Sequence, residues 1–148
     1  MRSPISTTDA PPPVGRYSQG YRRGDTVWVS GQVGIMPPHW NTLADGIAAQ
    51  TRYALAHVEA VLLAGGATWP DVTKLEVFMV DAGLRHHVDV VMDDIIPAPY
   101  PARTAVGGTD ITEVNGRTAL VEIAATAVVR SSRGEDDDWA RWGVRPPD

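Results

Sequence analysis

The chain has 148 residues, enough for one domain with a buried core, and its 43% hydrophobic and 21% charged residues are the composition of a soluble globular protein. A formal charge of −5 argues against phosphate-backbone binding as the main task, and the lack of cysteine excludes disulfide frameworks, Cys–zinc sites and thiol catalysis. All basic residues but one are Arg; the exception, Lys74, falls in an alternating strand pattern, a poor setting for a Schiff base.

In chain order, residues 1–13 read as an extended arm that ends in three prolines. It holds no apolar stretch of the secretory type, and no segment of the chain is long and apolar enough to span a bilayer, so a cytoplasmic protein is expected. A single domain is predicted over residues 14–130. Residues 131–148 then form a tail with an acidic run and a Pro-Pro finish, expected to be solvated. No internal repeat is found.

Within the domain, "YSQGYRRGDTVWVSGQV" predicts a hairpin that turns at Arg23-Gly24-Asp25. Residues 42–64 predict a helix, because Ile47, Thr51, Ala54, Leu55, Val58 and Leu62 recur at helical spacing. Asn41 or Thr42 is the expected cap and Gly65-Gly66 the stop. "DVTKLEVFMV" reads as a strand with Leu75, Val77 and Met79 on one face. Residues 84–96 read as a second helix, striped by Leu84, Val88, Val91, Met92 and Ile95 and ended by Pro97. "RTAVGG" and "TALVEIAATAVV" complete a β-β-α-β-α-β-β order, an α+β domain with a mixed sheet and both helices on one face. The last strand reads as apolar on both faces, so its second face needs a cover, and another copy of the chain is the simplest candidate.

Two residues in this frame invite chemistry. Glu122 interrupts the apolar strand "ALVEIAATAVV", where burying a carboxylate is costly without a partner. Arg103 follows Pro97, Pro99 and Pro101, which stiffen its approach. If the last two strands pair, or meet across an interface, Arg103 and Glu122 share a pocket. Arg103 then either neutralises Glu122 or holds an external carboxylate with its planar fork of donors while Glu122 handles water or a proton. Taken alone, Tyr17 reads as a half-buried strand aromatic and Ser30 as a strand-end hydrogen-bonder. No G-x-S-x-G elbow surrounds Ser30, so a hydrolase triad is unsupported. His86 and His87 point in different directions on a helix and do not make one zinc site.

The ordered set "VGRYSQG", "VSGQVG", "AAQTRYALAHVEAVLLAGG", "VTKLEVFMVD", "YPARTAV" and "VEIAATAV" resembles the RidA (YjgF-type) family of enamine/imine deaminases over about residues 10–130. The resemblance implies a chorismate-mutase-like fold and a homotrimer with its sheets facing the centre and pockets between subunits. It implies hydrolysis of 2-imino acids and their enamine tautomers to 2-keto acids and ammonia, with no cofactor and no metal. By position, Arg103 falls on the carboxylate-binding arginine and Glu122 on the water-handling glutamate. Tyr17 and Ser30 fall on pocket residues, and the backbone around Ala105 on a carboxylate-binding segment. Small-molecule carboxylates, rather than nucleic acid or membrane, are the implied partners. Asp89 and Met92 depart from the Asn and aromatic frequent in the family. Asp89 is expected to disfavour an anionic substrate, and Ala105 with Gly107 to widen the pocket. The departures keep open a relative repurposed for another small-molecule step, or a non-catalytic trimeric binding protein. Ribonuclease activity, attributed to some relatives, fits the acidic charge least.

Overall fold

The structure, a computed structural model, describes residues 2–129; the tail predicted over 131–148 lies outside them. The elements run β1 (Arg2–Ile5), β2 (Gly20–Arg23), β3 (Thr26–Val33), β4 (Ile35–Met36), β5 (Thr42–Leu43), α1 (Gly46–Ala64), β6 (Val72–Met79), α2 (Arg85–Ile95), β7 (Ala102–Val106), β8 (Glu113–Val114), β9 (Arg117–Thr118) and β10 (Val121–Val128). Six strands form one mixed sheet in the order β1-β2-β3-β10-β6-β7, in which only the β6–β7 pair is parallel. The predicted α+β order therefore holds for the main elements. The first residues of the arm do not stand apart: β1 pairs with β2 at the sheet's edge.

Alternation along β10 sets the two faces. Val121, Ile123, Ala125 and Ala127 are buried, whereas Glu122, Ala124 and Thr126 between them are half-buried. The buried set joins Val27 and Val29 of β3, Leu75 and Val77 of β6, Leu55, Val58 and Leu62 of α1, and Val88 and Val91 of α2 in one core. Both helices thus cover the same face. The opposite face carries exposed Trp28, Val106 and Val128 beside the small residues of β10. The last strand is less apolar there than expected.

Helix α1 starts at Gly46, later than predicted, because Thr42 and Leu43 pair with Ile35 and Met36 instead of starting the helix. Asp45 takes the N-cap position in place of Asn41 or Thr42, without a side-chain cap bond; its carboxylate meets Arg117 Nη2 at 3.0 Å. Gly66, at φ +81°, ends the helix as read from the sequence. Buried Gln50 ties α1 to the strands: its Nε2 donates to Ala44 O at 3.0 Å and its Oε1 accepts from Leu120 N at 2.8 Å. The close approach there requires Gly34, whose added Cβ would lie 2.4 Å from Gln50 Cα.

Candidate functional site

Arg103 and Glu122 occupy different faces of the sheet. Of the two routes to a shared pocket, direct pairing of the strands that carry them does not occur: β6 lies between β7 and β10. Across the sheet Arg103 registers with Leu75 and Leu75 with Ala125, all on the helix-covered face, while Glu122 registers with Phe78 and Phe78 with Val106 on the open one. Each residue lines its own cavity. Within one chain they share no pocket.

The Arg103 cavity, about 400 Å³, lies between α2 and the sheet's outer edge, with Asp89, Met92, Asp93 and Tyr100 among its walls. The chain leaves α2 at Ile95, passes Pro97, Pro99 and Pro101, and enters β7 at Ala102. The Arg103 side chain turns back onto the helix, where Nη1 pairs with Asp89 Oδ1 and lies 3.7 Å from Met92 Sδ. Its guanidinium is thus partnered by a carboxylate of its own chain, though not by Glu122. Ala105 is exposed two residues on, and β7 closes the sheet, so its outer backbone edge has no strand partner among the described residues. Gly107 does not widen this region. It is packed against the backbone of Ala82, where an added Cβ would meet Cα at 2.4 Å and N at 2.5 Å.

The Glu122 cavity is larger, about 710 Å³, and Tyr17, Ser30, Gly31, Trp40 and Glu113 line it with Glu122. The Glu122 carboxyl has no hydrogen bond or ion pair among the described residues, and burial pushes it above the ordinary glutamate value. Space for the carboxylate comes from Gly31, where an added Cβ would lie 2.5 Å from Oε1. Tyr17 sits in the bend before β2, not in the strand; it is half exposed, and its hydroxyl accepts from Val14 N at 3.4 Å. The Ser30 hydroxyl donates to Ser18 O at 2.6 Å, and Ser30 N donates to Gln19 O at 2.9 Å, so this side chain anchors the strand end. The hairpin of β8 and β9 walls the cavity through Glu113, Val114 and Asn115, and Asn115 Nδ2 holds Asn41 O at 2.6 Å. The structure thus brings Tyr17, Ser30 and Glu122 together, and Arg103 and Ala105 along a separate edge.

Sequence reasoning missed Gly31, Trp40 and Glu113. The glycine was visible in "VSGQVG", but its role depends on which side chain lies across it. Trp40 (φ +54°) and Glu113 reach the cavity from loops and short hairpins that carry no periodic signal. Among the described residues no group of three or more His, Asp or Glu is arranged to hold a metal ion, and no helix is long and apolar enough to cross a membrane.

Comparison with known proteins adds to this geometry. A 2-iminobutanoate/2-iminopropanoate deaminase of Dermatophagoides farinae is 35% identical over 126 residues, covering 84% of this chain and 94% of the relative. RidA from the Antarctic bacterium Psychrobacter sp. superposes with a TM-score of 0.78 at 31% identity, covering 86% of this chain and 99% of that one. Escherichia coli TdcF, solved with bound serine, gives a TM-score of 0.75 at 30% identity, covering 87% and 99%. The family model described as Endoribonuclease L-PSP matches residues 7–129, and the chain belongs to that family, the RidA/YjgF family.

Proposed function

We propose that this protein is a hydrolytic deaminase of 2-imino acids and their enamine tautomers, which it converts to 2-keto acids and ammonia. The carrying observation is Glu122: a half-buried, unpartnered carboxylate of raised basicity in a cavity, within a family whose relatives include imine deaminases. An imine carbon is already electrophilic, so the chain need only hold the substrate and move protons. Arg103 binds the substrate carboxylate, assisted by the free backbone edge near Ala105. Glu122 takes a proton from water as its oxygen bonds to the imine carbon and delivers it to nitrogen, giving the tetrahedral carbinolamine; it then moves the hydroxyl proton to nitrogen as C=O forms, the C–N bond breaks and ammonia leaves. Tyr17 closes the cavity beside the reacting atoms, and Ser30 holds the strand that carries Gly31.

Because Arg103 and Glu122 lie on opposite faces of one sheet, a site using both is completed between copies of the chain. A homotrimer with its open sheet faces turned inward supplies that arrangement, and exposed Trp28, Val106 and Val128 on the open face support it. Ribonuclease chemistry gains no support from the cavities: Glu113 and Glu122 line one of them, and carboxylates outnumber the arginine in the other.

The test generates 2-iminobutanoate with an amino-acid oxidase and measures the imine left for semicarbazide to trap. Wild-type protein is expected to lower the trapped fraction. Glu122→Gln is expected to lose about 10²–10⁴ in rate, and Arg103→Ala to lose activity chiefly through KM. Folded wild-type protein that leaves the trapped fraction unchanged with small and large imino acids alike sinks the reading.

A further inference from the structure

Asp89 looks at first like an obstacle to an anionic substrate, since its carboxylate sits on the arginine that is to hold one. The donor inventory of Arg103 says otherwise. Asp89 Oδ1 and Met92 Sδ, three residues apart on α2, both engage the same nitrogen, Nη1. Nε and Nη2 have no hydrogen bond among the described residues, and the side chain is part-exposed in its cavity. A guanidinium is a rigid planar fork whose Nε–Nη2 edge matches a carboxylate with two parallel bonds. Pinning Nη1 to the helix fixes the rotation of the plane and leaves that edge free.

We propose that Asp89 is a positioning residue: it holds Arg103 by Nη1 so that the Nε–Nη2 edge receives the substrate carboxylate. This rests on the reading of Arg103 as the carboxylate holder. Asp89 and Asp93 give the cavity one more negative than positive charge, so recognition depends on the oriented fork rather than on net attraction. A substrate of the same shape without the carboxylate, such as the imino amide, gains nothing from Asp89.

Two substitutions separate positioning from competition. Asp89→Asn keeps an oxygen acceptor for Nη1 and removes the charge; Asp89→Ala removes both. Positioning predicts that Asp89→Ala raises KM for 2-iminobutanoate, and Kd for 2-oxobutanoate, by about tenfold. It also predicts that Asp89→Asn matches or improves on wild type, and that the imino amide is affected by neither change. If Asp89→Ala instead tightens 2-oxobutanoate binding as Asp89→Asn does, Asp89 is a competitor and the proposal is overturned. A readout independent of substrate is the ¹⁵N NMR of the Arg103 side chain in ligand-free protein. Slowed rotation about its C–N bonds is expected in wild type and Asp89→Asn, and averaged signals in Asp89→Ala. Identical signals in all three overturn the positioning role. Wild type that neither binds 2-oxobutanoate nor consumes imine, but shows the expected NMR contrast, faults the reading of Arg103 and not the role of Asp89.

Discussion

At the scale of single residues, Glu122 combines an energetic cost with a chemical use. Burial without a partner raises its pKa, so the folded state holds the proton more tightly than the unfolded chain does. Stability therefore falls as pH rises from the ordinary glutamate value through the raised folded one, because ionising the half-buried carboxyl costs the fold. Glu122→Gln is expected to raise Tm at pH 7, and the advantage is expected to shrink at pH 4, where Glu122 is itself protonated. Thermal melts of the two proteins at both pH values check this; a lower Tm for the variant at pH 7 means that the carboxylate has a stabilising partner in the assembled protein. Activity carries the opposite sign, since the base must be ionised: turnover falls as pH drops through the raised pKa. The sequence pointed to Glu122 because a charge in an apolar strand is conspicuous. Ser30 was marked only by the resemblance, and its hydroxyl turns out to be engaged with Ser18 O.

At the scale of elements, glycines at close crossings hold the frame of the site. Gly34 lies against the backbone of Gln50 on α1, and Gly107 against the backbone of Ala82 just before α2. Neither obstruction is the end of a flexible side chain, so neither is relieved by a rotamer change. Gly107→Ala and Gly34→Ala are each expected to destabilise by about 1–3 kcal/mol, the usual cost of overpacking. Urea unfolding checks this; a Gly107→Ala protein of wild-type stability and altered substrate range would restore the roomier-pocket reading. The helices and long strands were legible because periods of 3.6 and 2 run through them. The start of α1 was not: Thr42 and Leu43 found strand partners in Ile35 and Met36, and pairing between separate stretches leaves no local trace. The short β8–β9 hairpin was missed for a different reason: its Asn115-Gly116 turn is a local signal, but each strand is two residues long and shows no alternation.

At the scale of the molecule, the placement of Arg103 and Glu122 on opposite faces predicts complementation between subunits. Arg103→Ala and Glu122→Gln proteins, each nearly inactive alone when assayed with 2-iminobutanoate well below the KM of the Arg103→Ala protein, are unfolded and refolded together in equal amounts. In random mixed trimers about one site in four pairs an intact Arg103 with an intact Glu122, so activity of about a quarter of wild type is expected. Continued inactivity of verified mixed trimers would show that one chain supplies both residues, and light scattering at monomer mass would remove the shared site altogether.

The sequence by itself determined the element types, the apolar stripes that join both helices to one sheet face, and the family, because periodicity and ordered motifs are local properties of the chain. It also singled out Arg103 and Glu122 by chemistry. Only the tertiary structure decided that β10 enters the sheet between β3 and β6, and so that the two residues stand on different faces. It also decided that Asp89 meets Arg103 and that Gly31 makes room for Glu122. The reason is the same in each case: strand order and side-chain contact are set by residues far apart in sequence, and periodicity carries no information about which distant strand a given strand joins.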